Sequence, residues 1–157
     1  MLGQYFPAPG MLHQNNNSLD KKKGRILIID QDELTCEFLS SIIKLIGFEC
    51  DMAKTVEQAF EMLERCVFDL LITDWHLPNT KELLQRSRER FPHIQTILMI
   101  NHHQLFFEAM QLPGATFIRK PFNFDDIVQK IHQAFHSRHL IQMETQIQRL
   151  RHEIFRF

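Results

Sequence analysis

The feature of this sequence that most constrains its fold is a run of four aliphatic residues near the start of the chain. Ile26 to Ile29 follow one another without a polar interruption, and the run ends abruptly in Asp30. A short run of this composition is typical of a strand that is buried on both faces of a parallel sheet. Parallel strands need crossover connections, so the run predicts helices on both sides of the sheet.

Four further strands are predicted, and segments with helical spacing of apolar residues separate them. The strands are Phe48 to Met52, Leu70 to Thr73, Ile97 to Ile100 and Thr116 to Ile118. In the first connection, Leu34, Phe38, Ile42 and Leu45 recur at the spacing of one helix face. A short helix is predicted around 107–110, and a last helix is predicted to begin after Asn123, a residue type favoured at helix N-caps. The alternation predicts a doubly wound α/β domain with a five-stranded parallel sheet.

Three charged residues directly follow predicted strands. Asp30 follows the first strand, Asp74 the third and Lys120 the fifth. In doubly wound folds, functional sites lie beyond the carboxyl ends of the strands. We therefore expect one crevice that gathers two carboxylates and an ammonium group.

Composition excludes several classes of protein. The chain has 157 residues, of which 44% are hydrophobic and 24% are charged, the balance of one globular domain. A formal net charge of −1 provides no overall attraction to nucleic acid or to an anionic membrane, and neither is predicted as a partner. No apolar run is long enough to span a bilayer. Cys36, Cys50 and Cys66 lack paired spacing, so we expect reduced thiols and a cytoplasmic protein.

The first part of the chain has a different character. Residues 1–23 contain prolines, a run of three asparagines and a run of three lysines, without a period that could bury a face. We expect this segment to be a disordered tail and the folded domain to begin at Gly24.

Three blocks of the sequence resemble the receiver domain of bacterial two-component response regulators. The blocks are residues 26–33, 69–78 and 117–122, in the order and at the spacing of that family. The resemblance implies a flavodoxin-like fold over residues 24–136 that acts in signalling and is not an enzyme. It implies that Asp74 accepts a phosphoryl group from a histidine kinase or phosphotransfer protein, and that Lys120 pairs with that group. It further implies an Mg²⁺ site at Asp30, Asp74 and the backbone carbonyl of His76.

These residue types suit phosphoryl transfer to a carboxylate. A carboxylate is a competent nucleophile, but two anions must approach each other, so a cation has to offset the developing charge. Mg²⁺ prefers hard oxygen ligands, which clustered carboxylates supply. A lysine ammonium then pairs with the phosphoryl oxygens as a point charge.

The sequence also departs from the family pattern. Gln31 stands where the family usually has a second acid, so Mg²⁺ binding should be weak or absent, with Asp32 or Gln31 as the remaining candidate ligand. At the switch positions, we assign Ile100 to the place of the family's hydroxyl residue, while Phe117 keeps the aromatic partner. The segment 79–81 after Pro78 is shorter than in the family and lacks its glycine.

These departures leave two hypotheses about function. In one, phosphorylation of Asp74 controls the domain. In the other, the domain is a degenerate, phosphorylation-independent receiver that serves as a dimeric interaction module for an unidentified protein partner. Phosphatase-like chemistry at the acidic crevice ranks third, because no general acid is evident.

The end of the chain carries a coiled-coil pattern. Apolar residues recur at alternating spacings of three and four, at Leu140, Met143, Ile147, Leu150, Ile154 and Phe157. No proline or glycine interrupts residues 123–157, so we predict one helix of roughly 30 residues, about 45 Å long. Residues 137–157 would extend the last helix of the domain and pair with a second copy, giving a homodimer. The alternative is that this helix packs back on its own domain.

No second helix-turn-helix unit follows, so direct DNA binding is not predicted, and an effector domain beyond Phe157 stays possible.

Overall fold

The computed structural model describes residues 23–101, 108, 110–112 and 114–156. Within these residues the structure gives β1 (Arg25–Ile29), α1 (Glu33–Leu45), β2 (Glu49–Ala53), α2 (Val56–Arg65), β3 (Leu70–Asp74), α3 (Thr80–Arg90), β4 (Gln95–Ile100), β5 (Ala115–Arg119) and α4 (Phe124–Ile154). The predicted tail lies outside the described residues except for Lys23. The short helix predicted at 107–110 lies largely outside them as well.

The five strands form one parallel sheet in the order β2-β1-β3-β4-β5. The central strands β1 and β3 are buried along almost their whole length, as their uninterrupted apolar sequences predict. Between these two strands the order of the sheet reverses, which is where sites form in doubly wound folds. The predicted fold class is confirmed.

Helices α1 and α4 cover one face of the sheet. Their buried residues pack with alternate residues of the strands in a single apolar cluster, which includes Ile26, Ile28, Leu39, Ile43, Ile72, Met99, Ile127 and Ile131. The segment with the predicted helical spacing does form α1. Of the four apolar residues that define this spacing, however, only Ile42 is buried. Leu34 and Leu45 are 74% and 75% exposed, because the helix turns its neighbouring apolar face to the sheet.

Helices α2 and α3 cover the opposite face. Leu63 of α2 and Leu83 of α3 pack with Leu27, Ile29 and Leu71 in a second apolar cluster. With both faces covered, the carboxyl ends of the strands remain accessible.

Helix α4 spans 31 residues and confirms the long helix predicted from the sequence. Asn123 is its N-cap, since the Asn123 side chain accepts a hydrogen bond of 2.9 Å from the backbone N–H of Asp126. Ile127, Ile131 and Ala134 are the buried residues of the helix. Past them, Arg138 forms an ion pair of 2.9 Å with Asp69, and the helix then continues away from the sheet. No helix in the described part of the chain is long and apolar enough to cross a membrane.

Candidate functional site

The site begins where sheet hydrogen bonding continues one residue past the strands. The N–H of Asp30 donates to Ala53 over 3.1 Å, and the N–H of Lys120 donates to Ile100 over 2.8 Å. Asp74 is the last residue of β3, opposite Met99 of β4. These bonds hold the three predicted site residues at one edge of the sheet.

The side chains of these three residues meet. The Nζ atom of Lys120 lies 2.6 Å from Oδ2 of Asp30 and 3.6 Å from Oδ2 of Asp74. Asp30 is 1% exposed and Asp74 is 9% exposed, so both carboxylates lie well below the protein surface. The crevice above them has a volume of about 440 Å³. It is lined by Asp30, Gln31, Asp32, Thr35, Asp74, Asn101 and Lys120.

Backbone donors orient both carboxylates. Oδ1 of Asp30 accepts a hydrogen bond of 2.9 Å from the N–H of Asp32, and Oδ1 of Asp74 accepts one of 3.0 Å from the N–H of His76. Each carboxylate therefore has one oxygen fixed by the backbone and the other directed toward Lys120. His76, predicted to contribute its carbonyl to a metal site, contacts Asp74 through its N–H.

Asp32 lines the crevice, but its carboxylate is engaged elsewhere. It is the N-cap of α1, and its oxygens accept hydrogen bonds from the Thr35 hydroxyl over 2.6 Å and from the N–H of Leu34 over 3.3 Å. The hydrogen bond from Thr35 lowers the pKa of the Asp32 carboxyl. Gln31 is exposed and also lines the crevice, so it is the freer of the two remaining candidate ligands.

Asn101, which follows the assigned switch residue Ile100 and was predicted only as a neighbouring amide donor, lines the crevice beside Lys120. It lies two residues beyond Met99, the sheet partner of Asp74, and therefore on the same side of β4. Ile100 was assigned to the hydroxyl position of the switch, but its side chain is buried in a third apolar cluster with Trp75, Leu98 and Leu84. The assignment of Ile100 thus does not fit its placement. Because side chains alternate along a strand, counting two residues on from Met99 would have assigned Asn101, and not Ile100, to the crevice.

The second predicted switch residue, Phe117, is half-buried. It packs against the third apolar cluster, and Leu98 is its sheet partner. Phe117 and Ile100 therefore belong to one apolar surface on the α3 side of the sheet, whereas the crevice opens beyond the strand ends.

The short loop after Pro78 takes a conformation that usually requires glycine. Asn79 has a φ of 67°, in the left-handed region, where asparagine is tolerated better than most other residues. The hydroxyl of Thr80 then donates to the carbonyl of Leu77 over 2.7 Å. Asn79 thus takes the left-handed conformation at this turn, and α3 begins directly afterwards at Thr80.

A buried thiol supports the first strand end. The Cys36 thiol donates to the backbone carbonyl of Asp30 over 3.4 Å, and burial raises the pKa of this thiol to about 11. Cys36, Cys50 and Cys66 are all free cysteines. Cys36 is therefore a packing residue that stays protonated at neutral pH.

The donors of the crevice are hard oxygens, which suit Mg²⁺. The described residues contain no cluster of three or more histidine, cysteine, aspartate or glutamate side chains that could hold a metal ion. Asp30 and Asp74 would hold the ion, with the Gln31 amide oxygen as a neutral third ligand. Two carboxylates and an amide fit a weakly bound Mg²⁺, because they carry less negative charge than three carboxylates and offset less of the cost of removing water from the ion.

An apolar cavity of about 550 Å³ adjoins the crevice. It is lined by Leu34, Thr35, Phe38, Asn101, Lys120, Pro121 and Phe122. Phe38 and Phe122 lie with ring centroids 6.2 Å apart. The exposed face of α1 thus continues the crevice as an apolar surface.

The sequence model of the response regulator receiver domain matches residues 26–132. The chain belongs to the response regulator receiver family. The receiver domain accounts for the sheet and for the crevice at its carboxyl edge, where Asp30, Asp74 and Lys120 meet.

Two curated relatives illustrate the relationship. The chemotaxis protein CheY of Pseudomonas aeruginosa is 28% identical over 121 residues, which cover 71% of this chain and 95% of that protein. The transcriptional regulatory protein ZraR of Escherichia coli K12 is 25% identical over 124 residues, which cover 76% of this chain. The chain spans 28% of the length of ZraR.

Solved structures share the fold. A CheY-like response regulator receiver domain from Methanospirillum hungatei has a TM-score of 0.67 and 28% identity, and the match covers 74% of this chain and 96% of that one. NtrX from Brucella abortus has a TM-score of 0.72 and 20% identity, and the match covers 79% of this chain and 29% of that one. Receiver domains are signalling modules of two-component systems.

Proposed function

We propose that Asp74 of this receiver domain accepts a phosphoryl group from a histidine kinase or a phosphotransfer protein. The observation that carries the proposal is the arrangement of its carboxylate, with Oδ1 held by the His76 N–H and Oδ2 facing Lys120 at 3.6 Å. Such an orientation presents one oxygen to an incoming phosphorus atom while a cation stands nearby.

In the transfer step, an oxygen of Asp74 forms a bond to phosphorus and the phosphorus–nitrogen bond of the phosphohistidine breaks. The electron pair of that bond stays on the imidazole nitrogen of the donor. Lys120 offsets charge on the phosphoryl oxygens, and Asp30 keeps the ammonium group within reach. Mg²⁺ bound at Asp30 and Asp74 would supply further charge neutralisation.

The donor protein needs a surface that reaches the crevice. The apolar face of α1, with Leu34 and Phe38 exposed, lies directly beside it. We expect the kinase or phosphotransfer protein to bury this face while it presents its histidine to Asp74. We expect this exchange in the cytoplasm, where free thiols such as those of this chain persist.

We also propose that α4 joins two copies of the chain. Its residues 137–154 extend past the receiver fold, and the apolar seam along them is exposed. Of the six seam residues predicted from the sequence, Leu140, Met143, Ile147, Leu150 and Ile154 lie in the described helix, and Phe157 lies outside the described residues. The domain organisation we propose is therefore a receiver over 24–136 and a coiled-coil extension over 137–157, with no direct role in nucleic-acid binding.

A second candidate function is a phosphorylation-independent interaction module. The specific observation in its favour is Gln31, which brings an uncharged side chain to the crevice, together with the close pairing of Lys120 to Asp30. In this case, Asp74→Asn leaves binding of the partner protein unchanged, whereas control by phosphorylation requires that the same substitution removes the response.

Beryllofluoride, a phosphoryl mimic, tests the first proposal. Trp75 is buried and directly follows Asp74 in the chain, so we expect its fluorescence to respond when a ligand binds at Asp74. In millimolar Mg²⁺, beryllofluoride should change Trp75 fluorescence with saturation in the wild-type chain. The change should disappear in Asp74→Asn. A wild-type chain that gives no saturable change, or an Asp74→Asn chain that keeps it, contradicts the proposal.

A further inference from the structure

The exposed seam of α4 supports an inference about how two copies meet. It rests on the proposed dimer and concerns the direction of the helices. The seam residues are each roughly half exposed or more: Leu140 52%, Met143 46%, Ile147 49%, Leu150 56% and Ile154 65%. They follow heptad spacing, so Leu140, Ile147 and Ile154 occupy a positions while Met143 and Leu150 occupy d positions.

The residues beside the seam carry the directional information. The e positions are Glu144 and Arg151, and the g positions are His139, Gln146 and Glu153. Charges at e and g set the orientation of paired helices, because they face each other across the seam. Here the two e positions carry opposite charges.

Neither of these e-position charges has an oppositely charged residue three or four positions away on its own helix. The neighbours of Glu144 three and four residues away are Ile141, Ile147, Leu140 and Gln148, and those of Arg151 are Gln148, Ile154, Ile147 and Phe155. In the described part of the chain, neither side chain makes an ion pair, although both are exposed on a helix that carries other charges. Arg138, by contrast, is paired with Asp69. A charge without a local partner is free to pair across a dimer.

The two possible orientations give these charges different neighbours. In a parallel pair, g faces e of the partner copy, so Glu144 faces His139 and Arg151 faces Gln146. In an antiparallel pair, e faces e, and Glu144 of each copy faces Arg151 of the other. Only the second arrangement forms two ion pairs between fully charged groups.

We propose that the α4 extensions pair in antiparallel orientation, with a second copy of this chain as the occupant of the seam. The core layers then place Ile147 against Leu150 of the partner copy and Met143 against Ile154. The Arg138–Asp69 ion pair ties each helix to its own receiver body at the start of the seam. The two receiver bodies consequently lie at opposite ends of a shared helical rod.

Charge reversal tests the orientation. In sedimentation equilibrium, Glu144→Arg and Arg151→Glu should each weaken the dimer roughly tenfold, because two attractive pairs become two repulsive ones. The double variant should restore wild-type affinity. Arg149→Glu is the matched control, since Arg149 is exposed at a c position outside the seam and its reversal should leave the dimer unchanged. Single reversals without effect, or a double variant without rescue, overturn the antiparallel arrangement.

Cysteine cross-linking gives an independent readout. An antiparallel pair should form a disulfide between Met143→Cys in one copy and Ile154→Cys in the other, whereas Met143→Cys alone should not cross-link. In a parallel pair, Met143→Cys alone cross-links, and this result overturns the inference. The unmodified chain, with its three native cysteines, controls for other disulfides. A monomeric wild-type chain that still binds beryllofluoride overturns the dimer and its orientation, but leaves the role proposed for Asp74 intact.

Discussion

Lys120 pairs more closely with Asp30 than with Asp74. Its Nζ atom lies 2.6 Å from Oδ2 of Asp30, against 3.6 Å from Oδ2 of Asp74. Two buried carboxylates side by side repel each other and lose hydration, and the ammonium group offsets both costs. A divalent cation at the same oxygens would compete with this lysine for Asp30.

Substituting Lys120 by methionine should therefore tighten Mg²⁺ binding. Removal of one positive charge a few ångströms from the ion should raise affinity roughly tenfold. Mg²⁺ titration followed through Trp75 fluorescence measures the effect. Lys81→Met is the matched control, because the Lys81 ammonium lies 5.9 Å from the centre of the Trp75 ring but outside the crevice. Unchanged or weaker Mg²⁺ binding in Lys120→Met would contradict the competition between lysine and cation.

Gln31→Glu should also tighten Mg²⁺ binding. This substitution adds a negative charge at the mouth of the crevice with almost no change in side-chain shape, and affinity should rise roughly tenfold. Isothermal titration calorimetry with Mg²⁺ measures the change directly. Gln58→Glu, on α2, carries the same change of charge away from the crevice and should leave Mg²⁺ affinity unchanged. Equal affinities for the wild type and Gln31→Glu would mean that Gln31 does not face the bound ion.

Asn101→Ala should weaken beryllofluoride binding. The Asn101 amide lines the crevice and is placed to donate a hydrogen bond to the phosphoryl mimic, and loss of a hydrogen bond to a charged group weakens binding roughly tenfold or more. Asn101→Ser, which keeps a donor, should recover much of the affinity. Ile100→Val serves as control and should leave affinity unchanged, since Ile100 packs away from the crevice. If Asn101→Ala binds beryllofluoride as the wild type does, Asn101 does not contact the phosphoryl position.

Asn79→Val should destabilise the fold, while Asn79→Gly should not. The φ of 67° at Asn79 suits glycine and penalises a β-branched residue by about 1–3 kcal/mol. Urea unfolding measures the free energy of both variants. If Asn79→Val is as stable as Asn79→Gly, the loop does not need a left-handed conformation at residue 79.

Much of the fold could be predicted because its signals are local. The apolar runs at Ile26 to Ile29 and Leu70 to Thr73 were long enough to indicate strands buried on both faces, and the interruption-free sequence after Asn123 indicated the long helix. The meeting of Asp30, Asp74 and Lys120 followed from the rule that parallel strands end at a common edge. These features depend on the pattern of apolar residues and on the order of strands and helices, and both can be read directly from the sequence.

The features that the sequence did not predict depend on a shift of one residue along an element, or on a choice between two possible contacts. In α1, two adjacent apolar faces share helical spacing, and the spacing alone does not indicate whether Leu34 or Leu39 faces the sheet. Along β4, a shift of one residue exchanges the faces of Ile100 and Asn101, because side chains alternate in a strand. From the sequence, Lys120 could pair with either carboxylate. Its preference for Asp30 depends on how a backbone hydrogen bond orients each carboxylate.

Phosphorylation of Asp74 can be measured by intact-protein mass spectrometry after incubation with acetyl phosphate and Mg²⁺. The wild-type chain should gain the mass of one phosphoryl group, and hydroxylamine, which cleaves acyl phosphates, should remove it. Asp74→Asn should gain no mass under the same conditions. An unchanged wild-type mass at millimolar Mg²⁺, or an equal gain in Asp74→Asn, would contradict the role of Asp74 as phosphoacceptor.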